Sequence, residues 1–145
     1  METQEMMMEF DSSSSNESFA RVAVAAFAAR LDPTVEEITD IKTAVSEAVT
    51  NCIIHGYEST EGKIRVECKI HNRELLITVM DRGCGIADVK KAMEPLYTSK
   101  PELERSGMGF AFMEAFMDEL KVSSMPMAGT IVQMRKKIAK KPEAV

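Results

Sequence analysis

The chain has 145 residues, 45% of them apolar, 28% charged, and a formal net charge of −5. That length suits one domain with a core of its own, and the apolar content excludes wholesale disorder. The mild acidity gives no broad basic face for direct nucleic-acid binding.

Met6 to Phe10 reads as a short strand, and the polar run Asp11 to Ser15 breaks it. Ser15 or Asn16 is placed to cap a helix from Ser18 to Leu31, with Phe19, Val22, Ala26 and Phe27 on its apolar side. Asp32-Pro33 ends that helix, and Pro33 can open the next at its first position. This second helix is expected to reach His55 and stop at Gly56.

Two strand patterns follow. Lys63 to Ile70 alternates Ile64, Val66, Cys68 and Ile70 on one face, and Leu75 to Met80 suits an inner strand. His71-Asn72-Arg73 marks the hairpin turn between them. From Asp81 to Met108 runs a long connection with helical periodicity only at Asp88 to Met93, the kind of segment that usually carries function. Gly109 to Leu120 is expected as helix. Lys121 to Ser124 and Thr130 to Ile138 read as closing strands around a turn at Pro126 to Gly129. The basic run Arg135-Lys136-Lys137 reads as a solvated strand end. The sum is a single α+β domain over residues 1–145, a two-layer sandwich with helices on one face of a mixed or antiparallel sheet.

Cys52, Cys68 and Cys84 form no CxxC pair, and with His55 and His71 they make no familiar zinc spacing. Reduced thiols, an acidic start and a longest apolar run of only Val22 to Ala29 point to a cytoplasmic protein with no membrane span.

Chemistry concentrates in four places. Glu47 and Asn51 lie one turn apart on one helix face, near Asp40 and away from the stripe Ile41, Val45, Ala48, Val49 and Cys52. A carboxylate beside an amide oxygen suits proton transfer and hard-oxygen ligation of Mg²⁺, although such a pair can also be merely solvated. Asp81-Arg82-Gly83-Cys84-Gly85 follows a strand. Its Asp can accept from an exocyclic amine, and its glycines admit close approach; taken alone, the pattern also fits an ordinary turn. Arg105-Ser106-Gly107-Met108-Gly109 opens a helix, where backbone N–H groups and an arginine can meet phosphate, although it is no Walker A motif. Gly129-Thr130 adds a hydroxyl before the last strand.

In this order the motifs resemble the N box and glycine boxes of the GHKL ATPase superfamily of gyrase and the histidine kinases, with its Bergerat nucleotide-binding fold. Asn16 to Val22, Ser46 to Asn51 and Tyr97 to Phe110 look more specifically like the sporulation anti-sigma-F factors, over roughly Met8 to Ile138. That resemblance implies a homodimer that binds ATP or ADP with Mg²⁺ and holds the sporulation sigma factor F inactive. It also implies phosphorylation of a serine on an anti-anti-sigma factor.

By the same resemblance Glu47 is the general base and Asn51 the Mg²⁺ ligand. Asp81 reads adenine, Gly83 and Gly85 shape its pocket, and Thr130 supports the adenine side. Thr98, Ser99, Arg105, Gly107, Met108 and Gly109 line the cofactor at the phosphate end, and Arg21 meets the protein partners. Arg82, Cys84 and Met125-Pro126-Met127 depart from the family pattern without removing a residue of assigned role.

Three other readings compete. A nucleotide-binding anti-sigma module without kinase activity is opposed by Glu47. A general stress-type anti-sigma kinase fits the segment Glu102 to Phe110 less well. A histidine-kinase catalytic domain needs an acceptor hairpin ahead of the N-box helix, where only one strand and one helix are expected.

Overall fold

The computed structural model describes residues 3–58, 60–86, 89, 93 and 109–139. Their elements run in the order β1 (Gln4–Asp11), α1 (Ser15–Ala28), a 3₁₀ turn (Ala29–Leu31), α2 (Val35–Asn51), a π turn (Cys52–Gly56), β2 (Lys63–His71), β3 (Glu74–Asp81), α3 (Gly109–Phe116), β4 (Glu119–Met125) and β5 (Gly129–Lys137). The strands form one sheet in the order β1-β2-β3-β5-β4. Every pairing is antiparallel, so the α+β two-layer expectation holds with an antiparallel rather than a mixed sheet.

Alternation sets the layers. Ile64, Val66, Cys68 and Ile70 of β2 and Leu75, Ile77 and Val79 of β3 are buried. Residues between them, such as Lys63 and Lys69, face solvent. α2 crosses the covered face with α1 and α3 packed against it. Its stripe Ile41, Val45 and Val49 is fully buried, each side chain worth about 1.5–3 kcal/mol relative to exposure. Asn72, with φ 51°, and Arg73 make the tight turn between β2 and β3.

The entry to α2 is a capping box that begins one residue after Pro33. The Thr34 hydroxyl accepts from the Glu37 N–H at 3.0 Å, and the Glu37 carboxylate accepts from the Thr34 N–H at 2.8 Å. The bond from Thr34 holds the Glu37 carboxyl below its ordinary value. At the other end α-geometry stops at Asn51, and the expected last turn to Gly56 is a π turn. Such wide turns cluster at functional sites.

Three expectations are corrected. First, α1 buries Ala20, Val24, Phe27 and Ala28, while Phe19 is 56% and Val22 59% exposed. Small side chains on the inner stripe let the helix lie close to its neighbours, so bulk was the wrong guide to the buried side. Phe19 instead meets Phe10 edge-on, ring centroids 6.4 Å apart. Neither Ser15 nor Asn16 caps α1: the N-cap is Ser14, without a side-chain bond, and Asn16 donates back to the Asp11 carbonyl.

Second, α3 ends at Phe116 rather than Leu120, because Glu119 and Leu120 pair with Arg135 and Met134 of β5. Third, Lys136 is not solvated. It is buried, donates from Nζ to the Phe116 carbonyl at 2.7 Å, and lies 3.8 Å from the Asp40 carboxylate. A cation on the last carbonyls of a helix offsets their unsatisfied charge. The expected helix at Asp88 to Met93 lies largely outside the described residues. Among the described residues no helix is long and apolar enough to cross a membrane.

Candidate functional site

β3 ends on Asp81, whose side chain is buried. Its Oδ1 accepts from the Gly83 N–H at 2.8 Å. The π turn lies against the other oxygen: a Cβ at Gly56 would lie 2.7 Å from Asp81 Oδ2. Burial outweighs the Gly83 bond and pushes the Asp81 carboxyl above its ordinary value. A buried carboxylate that remains short of donors is chemically prepared for one more, such as an amine.

Thr130 faces Asp81 across the β3–β5 register. Its hydroxyl lies 2.8 Å from Ser124 Oγ. Ser124 accepts from the Ile86 N–H at 2.7 Å and donates to the Gly129 carbonyl at 3.0 Å. With the single Ser124 proton so used, Thr130 donates to Ser124 and keeps its own lone pairs for a further donor. Ser124 was missed in the sequence. No motif marks it, and only the pairing of β4 with β5 brings it beside Thr130.

Both glycines of the Asp-x-Gly-x-Gly segment meet protein backbone. A Cβ at Gly83 would lie 1.9 Å from the Gly56 carbonyl oxygen, which already accepts from the Cys84 N–H at 2.8 Å. Gly85 has φ +77°, and a Cβ there would lie 2.1 Å from the Met125 carbonyl oxygen. Their smallness therefore clamps the loop onto the π turn and onto the end of β4, and this shapes the walls around Asp81.

The second half of the site is the flank of α2. Glu47 and Asn51 are half-buried, one turn apart, beside the buried Ala44 and Ala48. Asn51 Nδ2 is buried and has no hydrogen-bond partner among the described residues. A buried amide left in this state invites an acceptor. Gly109, buried, opens α3, which packs against α2. Thr98, Ser99, Arg105, Gly107 and Met108 lie outside the described residues.

Arg21 belongs to neither half. It lies on α1, with Nη1 3.4 Å from Glu17 Oε1 and Nη2 3.5 Å from Ser18 Oγ, at the border of the face that exposes Phe19 and Val22. The three cysteines are free; Cys52 and Cys68 are buried, and burial pushes the Cys68 thiol up to about 12. Cys84 is half-buried, and its thiol donates to the His55 carbonyl at 3.0 Å.

A buried carboxylate at a strand end, an unpaired amide on the neighbouring helix and a glycine-clamped loop between them describe a nucleotide-binding ATPase domain. The sequence model of the histidine kinase-like ATPase domain matches residues 11–136. The chain is 62% identical to the anti-sigma F factor of Clostridium novyi (strain NT) over 139 residues, 95% of this chain and 97% of that protein. It is 59% identical to the anti-sigma F factor of Pasteuria penetrans over 140 residues, 95% and 93% of the two chains. The anti-sigma F factor of Clostridium acetobutylicum is 60% identical over 134 residues, 92% and 94% of the two chains. The chain belongs to the histidine kinase-like ATPases and, within them, to the anti-sigma F factors.

Proposed function

We propose that this anti-sigma factor is an ATP-dependent serine kinase of the cytoplasm. In this reading it holds sporulation sigma factor F inactive as a homodimer and phosphorylates a serine of the anti-anti-sigma factor. One observation carries the reading. The π turn that continues α2 from Asn51 runs against Asp81, where a Cβ at Gly56 would lie 2.7 Å from Oδ2. The end of α2 thus joins a proton acceptor, a phosphate-end amide and an adenine-reading carboxylate into one site.

The proposed roles follow from chemistry. Asp81 accepts from the exocyclic amine of adenine, with the Thr130 hydroxyl alongside. Glu47 takes the proton of the attacking serine hydroxyl as its oxygen bonds to the γ-phosphorus and ADP leaves. Thr98, Ser99, Arg105, Gly107, Met108 and Gly109 hold the phosphates.

Asn51 suits Mg²⁺ through its amide oxygen, while the unpartnered Nδ2 is available to a phosphate oxygen. Among the described residues no three His, Cys, Asp or Glu side chains converge on a metal position. Mg²⁺ at this site would take its remaining ligands from phosphate and water, its usual arrangement in nucleotide sites, and would neutralise charge on the transferring group.

Arg21 is proposed to meet both protein partners. Its support is the neighbouring exposed Phe19 and Val22, since arginine beside exposed apolar side chains is a common interface pattern.

The test is transfer from labelled ATP with Mg²⁺ and the anti-anti-sigma factor. Label on a partner serine is the expected result. Label on a histidine of this chain, or none on the partner, would overturn the kinase reading. Arg21→Ala should weaken capture of both partners while ATP affinity stays the same, and unchanged capture would remove Arg21 from the interface.

A further inference from the structure

The register lays one row of side chains across all five strands. Phe10 of β1 pairs with Ile64, Ile64 with Asp81, Asp81 with Thr130, and Thr130 with Ser124. Directly opposed residues project to one face, so the row is apolar over β1 and β2 and turns polar from β3 to β4. Ser124 ends it. Its Oγ accepts from the Ile86 N–H at 2.7 Å, donates to the Gly129 carbonyl at 3.0 Å and lies 2.8 Å from Thr130 Oγ1. A serine hydroxyl has one proton and two lone pairs, and these three partners use all of them. Thr130 stands between Ser124 and Asp81 in the row. Its proton is held on Ser124, and toward Asp81 it offers lone pairs.

We propose that Ser124 is a positioning residue for purine selection: by holding the Thr130 proton it keeps Thr130 an acceptor beside Asp81, which favours a 6-amino purine over a 6-oxo purine. The inference rests on the reading of Asp81 and Thr130 as the adenine-side groups. A 6-amino group carries two N–H donors, and two neighbouring acceptors suit it. A 6-oxo group brings lone pairs instead, and Thr130 cannot turn a donor toward them while its proton is tied to Ser124. Without the Ser124 oxygen the Thr130 hydroxyl is free to rotate and donate, so the penalty on the 6-oxo purine shrinks. The loop after β3 has a second tie to this end of the sheet, the Met127 N–H to the Cys84 carbonyl at 2.6 Å, so the Ile86 bond is not its sole anchor.

The experiment measures ATP and ITP affinities in the full chain for wild type, Ser124→Ala, Ser124→Thr, Thr130→Val, the double variant Ser124→Ala with Thr130→Val, and Asp81→Asn. Ser124→Ala should lower the ratio of ATP to ITP affinity by about fivefold, the effect of one hydrogen bond, and Ser124→Thr, which keeps the hydroxyl, should restore most of it. Because Ser124 acts through Thr130, the double variant should show the ratio of Thr130→Val alone. A wild-type ratio in Ser124→Ala, including a protein that weakens ATP and ITP equally, overturns the proposal and leaves Ser124 as a tie between β4 and the loop. A double variant whose ratio falls below that of Thr130→Val by the full Ser124→Ala factor overturns it too. If Asp81→Asn keeps the wild-type ratio, the adenine reading itself falls and this inference falls with it. Should Ser124→Ala fail to fold, Ser124→Cys keeps a similar size with a poor acceptor, and its ratio decides in the same way.

Discussion

The floor of the site around Asp81 and the flank of α2 around Glu47 and Asn51 are built on opposite plans. The floor is buried, and the segments around Asp81, namely the loop after β3, Thr130 of β5 and Gly56 of the π turn, are far apart in the chain. The flank is half-buried and comes from one turn of one helix. Burial makes the floor selective, because an unmet acceptor there is costly. Partial exposure suits the flank to chemistry, because a base must reach an incoming hydroxyl and then lose its proton. In the proposed reading, recognition and reaction are separated in space yet joined by the π turn that continues α2.

That contrast can be broken by substitution. The largest effect belongs to the floor. Asp81→Asn should cut the preference for ATP over GTP by on the order of 10⁴-fold, since sites built on a specific hydrogen bond reject its absence strongly. Competition binding measures it, and an unchanged preference would remove Asp81 from adenine recognition.

Glu47→Ala should lower the rate of serine phosphorylation by roughly 10²- to 10⁴-fold, with ATP affinity and sigma-factor capture nearly intact. All three are measured on one preparation. A normal transfer rate would end the base assignment, and joint loss of all three would mean that Glu47 holds the fold.

Asn51→Ala tests the flank through binding rather than through its base. Losing a bond to a charged group costs about 1.5–3 kcal/mol, so Mg-ATP affinity should fall by about 10- to 100-fold. Titration with Mg-ATP checks it; unchanged affinity and transfer would place the metal elsewhere.

The smallest effect is in stability against pH. The folded Asp81 carboxyl is raised above its ordinary value of 3.8, so the folded chain binds its proton more tightly than the unfolded chain does. The stability linked to that proton is fully present below 3.8 and is lost as pH rises through the raised folded value. The melting temperature of wild type relative to Asp81→Asn should therefore fall across that interval and level off above it. A difference independent of pH would mean that Asp81 is not strained by burial.

The two regions also differ in how far they could be read in advance. Glu47 and Asn51 needed only helical spacing, and α2 with its buried stripe followed from Ile41, Val45, Ala48 and Val49. The Thr34 to Glu37 capping box was present in the sequence as well, although Pro33 drew the expected start two residues early. At the floor, Asp81 was legible as a strand-end carboxylate. The approach of Gly56 and the Ser124 contact were not, because they depend on how distant segments pack.

α1 shows the same boundary. Its helical character came from local composition, but Phe19 and Val22 face solvent because close packing selected Ala20, Val24 and Ala28. Lys136 was read as solvated because its neighbours in sequence are charged. Its neighbours in space are the end of α3 and Asp40. Local spacing alone determined the helices, the strands and the Glu47–Asn51 pair, since each depends on residues within a turn or two. Only tertiary structure decided which face of α1 is buried, what packs against Asp81 and where Lys136 goes. Those outcomes are set by burial and by contacts between segments distant in the chain, whose energies are defined only after the sheet and helices have packed.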